Sequence, residues 1–145
     1  MKRFKYSLNK LFKMRVRLER EASQRFSDVS TRIKTIEDNI KNLNELYKQN
    51  SFATCTTRVD EIIKNNYSHY LENSIKLNEA EREKMKEEYD FRLNEYKEKK
   101  KDRKVLEKLK EKEYHKFLEE QYKEEQDFLD ELAINMSYKE FEEED

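Results

Sequence analysis

A chain with neither glycine nor proline has few ways to turn round. Tight reversals, glycine caps at helix ends and glycine-rich phosphate loops all depend on those residues, so this sequence can change direction only rarely. Its 145 residues leave room for one domain or one elongated element. Charged residues make up 45% and the apolar class 34%, too little to fill a three-layer core, while 12% aromatics argue against disorder. Such a composition, given regular apolar spacing, belongs to long helices and coiled coils.

The spacing is regular. From Ala22 the apolar residues run Ala22, Phe26, Val29, Ile33, Ile36, Ile40, Leu43 and Tyr47. The steps alternate four and three, the a/d pattern of a coiled coil. Extended backwards, the register lands on Glu19, Arg15, Phe12 and Leu8, which predicts a first helix over about residues 4–49. Residues 50–57, Asn-Ser-Phe-Ala-Thr-Cys-Thr-Thr, break the pattern and read as a loop, because Ser, Thr and Asn favour caps and turns. Thr57, three residues before Asp60, forms a capping-box pattern with Asp in place of Glu. A second helix is therefore expected over about residues 58–138, followed by an acidic tail over 139–145.

The second helix carries a looser seam of Ile63, Tyr67, Leu71, Ile75, polar Asn78 and Arg82, then Met85, Tyr89, Leu93 and Tyr96. After residues 97–104, which lack apolar side chains, Val105, Leu106 and Leu109 resume the pattern. A last ladder reads Tyr114, Leu118, Tyr122, Glu125, Leu129, Leu132 and Met136. A short connection between long helices makes them antiparallel. The expected fold is all-α, a single domain built as a long antiparallel two-helix coiled coil, with the second helix overhanging the first. Folding back at residues 53–54 would set Ile40 near Tyr67, Phe26 near Arg82 and Phe12 near Tyr96. The first helix would then end near Lys100, leaving about 40 residues of the second, roughly 60 Å, without an internal partner.

Net charge is −1, so the chain as a whole has no general attraction to nucleic acid or anionic lipid. Locally the charge is segregated: residues 1–20 carry a net +7, residues 97–104 a net +4 and residues 119–145 a net −10. In the hairpin the two basic stretches would form a collar at the open end, although alternating charges on a helix are ordinarily a solvated face. A single cysteine, Cys55, excludes an internal disulfide and suits a reducing compartment. The longest apolar run, Leu132-Ala133-Ile134, is too short for a membrane span or a signal-peptide core, so a soluble, cytoplasmic protein is expected.

Catalytic chemistry finds no footing. His69 and His115 are far apart in sequence, as is Cys55 from both, and no cluster of His or Cys has metal-ligand spacing. Paired carboxylates on an open helix face lack the cleft that would shift their pKa values. No enzyme activity, cofactor or metal is expected.

Three stretches together resemble the flagellar FliJ family. The opening Phe4-Lys5-Tyr6-Ser7-Leu8-Asn9-Lys10-Leu11-Phe12, followed by Arg15 and Glu19, is similar to the family's Phe-x-Phe-x-Leu-Gln-x-Leu-Leu and its Arg and Glu four apart. Leu106-Glu107-Lys108-Leu109 resembles the family's Leu-Glu-Lys-Leu segment. Leu129-Asp130-Glu131-Leu132-Ala133 resembles its C-terminal Asp-Glu-hydrophobic-Ala motif. Departures keep the residue class: Tyr6 stands for the second Phe, Asn9 for Gln and Phe12 for the second Leu.

The resemblance implies a soluble component of the flagellar type III export apparatus, similar to a rotary-ATPase central stalk. It implies insertion into the ring of the export ATPase, promotion of ring assembly and activity, and a link to the cytoplasmic domain of the membrane export gate. Export chaperones are implied as further partners, with the protein held peripherally at the membrane and not inserted into it. Carried over by motif, the ATPase-contact residues are Arg15, Glu19, Leu129, Asp130, Glu131 and Ala133. The export-gate patch falls on Tyr70, Ser74, Leu77 and Glu81. From the residues alone, Arg15 and Glu19 read equally as a register-fixing ion pair in the seam, and Asp130 and Glu131 as solvated charges. Two other functions stay open: a coiled-coil spacer with unrelated partners, and nucleic-acid binding through the basic collar. The latter is disfavoured because the bases are interspersed with acids.

Overall fold

The computed structural model describes residues 2–144. Helix α1 runs Asn9–Ser51 and helix α2 runs Arg58–Glu144, and there is no strand among the described residues. The two helices pack against each other as an antiparallel hairpin. The chain forms two compact units, one of Arg17–Lys100 and the other of the segments on either side of it.

In the Arg17–Lys100 unit the α1 stripe buries Ala22, Val29, Ile36 and Ile40, all on the expected seam, with Phe26, Ile33, Leu43 and Tyr47 half-buried beside them. Leu71 of α2 is 1% exposed, the most fully enclosed large side chain among the described residues. Ile75, Asn78, Arg82, Met85, Tyr89, Leu93 and Tyr96 continue its seam half-buried. Alanine at Ala22, fully enclosed, lets the two backbones approach where larger residues would hold them apart.

The reversal is made without any residue at positive φ. Helix α1 lacks a glycine to close its C-terminus, and Lys64 satisfies the terminal carbonyls in its place. The Lys64 Nζ donates to the carbonyls of Ser51 at 3.0 Å and Ala53 at 3.1 Å. The capping box forms as the sequence predicts. The Asp60 amide donates to Thr57 Oγ1 at 3.2 Å, and the Thr57 amide donates to Asp60 Oδ2 at 3.3 Å. The hydrogen bonds from Thr56 and Thr57 hold the Asp60 carboxyl below its ordinary range.

The register differs from the expected fold-back. Asn50 Nδ2 donates to Ser68 Oγ at 2.8 Å and to the Lys64 carbonyl at 3.0 Å, so the end of α1 lies level with residues 64–68. Tyr47 donates to Glu72 at 3.1 Å, and Phe26 sits between Tyr89 and Tyr96 instead of near Arg82. The cause is the connection. It runs along the helix axis before α2 starts, so the first turns of α2 project past the end of α1. Ile63, expected in the seam, is 61% exposed as a result.

The outer unit corrects two expectations. The first helix does not begin near Phe4: residues 2–6 are extended, residues 7–8 turn, and α1 starts at Asn9. An extended segment advances about 3.3 Å per residue against about 1.5 Å in a helix, so the same residues cover twice the length of α2. Tyr6 is buried and donates its hydroxyl to the Leu106 carbonyl at 2.9 Å, while Leu106 itself is 3% exposed. Phe4 packs edge-on against Tyr114 at 5.2 Å and against Phe117 at 5.5 Å. The part of α2 without a partner therefore begins well beyond Val105. Secondly, the stretch expected as an acidic tail from residue 139 is helical as far as Glu144, since nothing there stops a helix and Glu and Lys favour it.

Candidate partner-docking surfaces

Residues 122–144 are exposed without exception. Tyr122, Phe128, Leu129, Leu132, Ile134, Met136, Tyr138 and Phe141 stand between 42% and 70% exposed over this stretch of α2. Leu118, Tyr122, Leu129, Leu132 and Met136 share one face by their spacing, the ladder read from the sequence. An apolar ladder of this length left in water marks an interaction surface. Leu129, Asp130, Glu131 and Ala133 all lie on it or beside it, and all are exposed.

Arg15 does not join them. Arg15 Nη1 donates to the Asp102 carbonyl of α2 at 2.9 Å, so its seam position is used to hold α1 on the backbone of α2, with no carboxylate partner in that bond. Asp130 lies 28 residues farther along α2 than Asp102, about 42 Å at the helical rise, which separates Arg15 from the ladder motif. Glu19 is half-buried on α1. Arg15 and the ladder motif, which the resemblance groups in one contact set, are thus separate places within one unit of the chain.

A second apolar stripe lies in the first turns of α2. Val59, Ile63, Tyr70 and Leu77 recur at steps of four and seven, and they are 64%, 61%, 64% and 73% exposed. Ile62 of the same helix and the loop residue Phe52 are exposed as well. Tyr67 and Tyr70 stack with ring centroids 6.3 Å apart. The gate patch inferred from the resemblance falls on this stripe: Tyr70, Leu77 and Glu81 are exposed, while Ser74 is half-buried with its carbonyl accepting from Asn78 at 2.8 Å. Val59, Ile62 and Ile63 extend the stripe. Spacing does not separate them from the seam, because the offset of the connection is invisible in it.

Within the Arg17–Lys100 unit the seam is held by a polar bridge. Glu95 accepts from Arg25 of α1 at 2.7 Å and from Arg92 of its own helix at 3.0 Å, and these two guanidinium groups keep its carboxyl below the usual range. In the outer unit, burial pushes the Tyr6 phenol up, with Glu113 adding to the effect and Arg15 opposing it. Charge there is graded along α2, since the basic residues of 2–16 lie beside the lysine-rich stretch that starts at Lys101, and the outer ladder is acidic. No group of three or more His, Cys, Asp or Glu side chains among the described residues has the geometry to hold a metal ion. His69 is exposed beside Glu72, and no helix among the described residues is long and apolar enough to cross a membrane.

A family model described as Flagellar FliJ protein matches residues 4–140. Comparison with curated proteins and with solved structures gives no significant match.

Proposed function

The chain belongs to the flagellar FliJ protein family and so to the apparatus of flagellar protein export, and on that premise we propose that it is a stalk-like, non-enzymatic regulator of the export ATPase. In this reading the outer ladder of α2 enters the ATPase ring, promotes ring assembly and activity, and the exposed stripe of the hairpin links the ring to the cytoplasmic domain of the export gate. Export chaperones are further partners. The observation that carries the reading is the unbroken exposure of residues 122–144, apolar ladder included, where no seam residue of α2 is even half-buried.

Within the ladder, Leu129 and Ala133 would supply apolar contact one turn apart, and Asp130 and Glu131 would meet a basic lining. Arg15 acts as a positioning residue that keeps α1 against α2 below the ladder. Glu19 belongs to the same stretch of α1, and a partner contact is proposed for it on the family motif alone. On the gate side the contact set is Tyr70, Leu77 and Glu81, with Ser74 at the buried edge.

The test is stimulation of the purified export ATPase. Replacing Leu129→Asp and Leu132→Asp puts two charges into the ladder without touching a buried residue. The double variant is expected to stay as helical as the parent and to lose the stimulation. A coiled-coil spacer with unrelated partners would give no stimulation even from the unaltered chain, and retained stimulation by the variant would remove the ladder from the mechanism.

A further inference from the structure

We infer that residues 2–8 are a releasable clasp, which occupies the Leu106–Phe117 face of α2 in the free chain and leaves it when a partner takes the ladder. The inference rests on the reading above only for the identity of that partner, the export ATPase.

The clasp is not part of either helix. Its hold on α2 has one enclosed anchor, Tyr6, whose ring is buried and whose hydroxyl reaches the Leu106 carbonyl. Everything else is at the surface. Phe4 is half-buried between Tyr114 and Phe117, and Ser7 donates to Glu113 at 3.1 Å in an exposed bond. Lys2 meets Glu124 at 3.4 Å with the two side chains 75% and 61% exposed. Exposed ion pairs of this kind contribute little. A segment with few buried contacts and no backbone ladder of its own opens locally, independently of the rest of the fold.

What the clasp covers is continuous with what is bare. Tyr114 and Leu118 are each 44% exposed, and the same ladder runs on through Tyr122 to Met136. A partner groove following the ladder inward from its open end meets Phe4 at Phe117, so it must either stop there or displace the segment. Displacement exchanges one tyrosine anchor and an edge-on phenylalanine for a longer apolar contact, and it frees the basic residues Lys2, Arg3 and Lys5. The alternating apolar residues Phe4, Tyr6 and Leu8 suit an extended segment that lies on a surface and can be lifted off it.

The test ties the far end of the clasp down. In a Cys55→Ser background, Lys2→Cys and Glu124→Cys are joined by a short bis-maleimide with a reducible internal bond. Both positions are exposed, so the tether does not disturb packing. Tethered protein is expected to stimulate the export ATPase at least about tenfold less than the same sample after the tether is reduced, because the competent state is withheld. Equal stimulation before and after reduction would overturn release. Hydrogen exchange supplies an arm free of the ATPase. Before tethering, the amides of Asn9 and Phe12, bonded to the Tyr6 and Leu8 carbonyls, are expected to exchange at least about a hundredfold faster than those of the Ala22–Ile40 seam, and about tenfold slower once tethered. Exchange as slow as the seam's, or unchanged by the tether, would sink the clasp whatever the ATPase does. A chain that opens in this way yet never stimulates would instead overturn the proposed function.

Discussion

The Arg17–Lys100 hairpin and the outer half of α2 are written in nearly the same residues, yet one is a packed seam and the other is bare. In the hairpin every seam position of α2 from Leu71 to Tyr96 faces α1 and is at least half-buried. On the outer helix, a ladder of similar spacing loses its cover step by step: Leu106, whose carbonyl Tyr6 reaches, is 3% exposed, Leu118 is 44% exposed and Tyr122 is 65% exposed. Apolar spacing alone therefore says that a surface wants covering, not that the chain itself covers it. The hairpin satisfies its stripe internally, and the outer helix leaves its stripe for something else.

Stability should separate the two regions most sharply. Leu71→Ala removes the most enclosed large side chain and is expected to cost about 2–5 kcal/mol, measured as a lower midpoint in chemical denaturation. Leu132→Ala, on the bare ladder, should change the same midpoint within about 0.5 kcal/mol. Comparable losses from both would mean that the outer ladder is buried in the free protein, by self-association, and the contrast would collapse.

Tyr70→Ala combined with Leu77→Ala removes two side chains that are mostly in water. Helicity and midpoint should hold, while affinity for the cytoplasmic domain of the export gate should fall at least about tenfold if each side chain is worth about 1 kcal/mol at the interface. Unchanged affinity in a titration would detach the hairpin stripe from the gate and leave the ladder as the sole docking surface of the proposal.

The hairpin is legible in the sequence because two independent signals agree there. The four-three spacing from Ala22 to Tyr47 picks out the buried stripe, and Thr57 with Asp60 marks the start of α2 at its true residue. The register stays open, since spacing is unchanged when one helix slides along its partner, and the offset depends on how Lys64 and Asn50 tie the connection. The clasp leaves only a faint signal. Phe4, Tyr6 and Leu8 alternate with period two, but Leu8 and Phe12 also continue the helical register, and Tyr6 becomes legible only through its bond to Leu106. Of the candidate site, the ladder motif is legible as an exposed surface. Arg15 is not, because a polar residue at a seam position reads the same whether it faces a partner or a backbone carbonyl.

Within the outer unit, Tyr6→Phe deletes one hydroxyl and leaves the ring in place. The Leu106 carbonyl keeps its place in α2, so the loss should be near the net value of a single hydrogen bond, about 0.5–1.5 kcal/mol, felt by the clasp and not by the hairpin. Hydrogen exchange at Asn9 should quicken while the Val29 and Ile36 amides stay as slow as before. If the hairpin amides quicken equally, the two units open as one and the comparison between them loses its basis.

Within the hairpin a small effect belongs to Glu95, and its sign follows from its surroundings. Arg25 and Arg92 hold its carboxyl below the ordinary value of 4.5, so the folded state binds the proton less readily than the unfolded chain does. The pair's contribution is then fully present above that ordinary value and is lost as the pH falls through the lower, folded one. The Glu95 side chain is 23% exposed and Arg25 39% exposed, so solvent screens the interaction and the contribution should stay within about 1 kcal/mol. Denaturation midpoints of the parent and of Glu95→Gln, followed from neutral pH downward, should converge below the carboxylate range, with the parent ahead at neutral pH. Because Arg25 is on α1 and Glu95 on α2, the same variant should leave the exchange of the clasp amides untouched. A gap between the two proteins that persists at low pH would mean that Glu95 works through packing and not through its charge. In that case the hairpin's advantage over the outer helix would rest on its apolar seam alone.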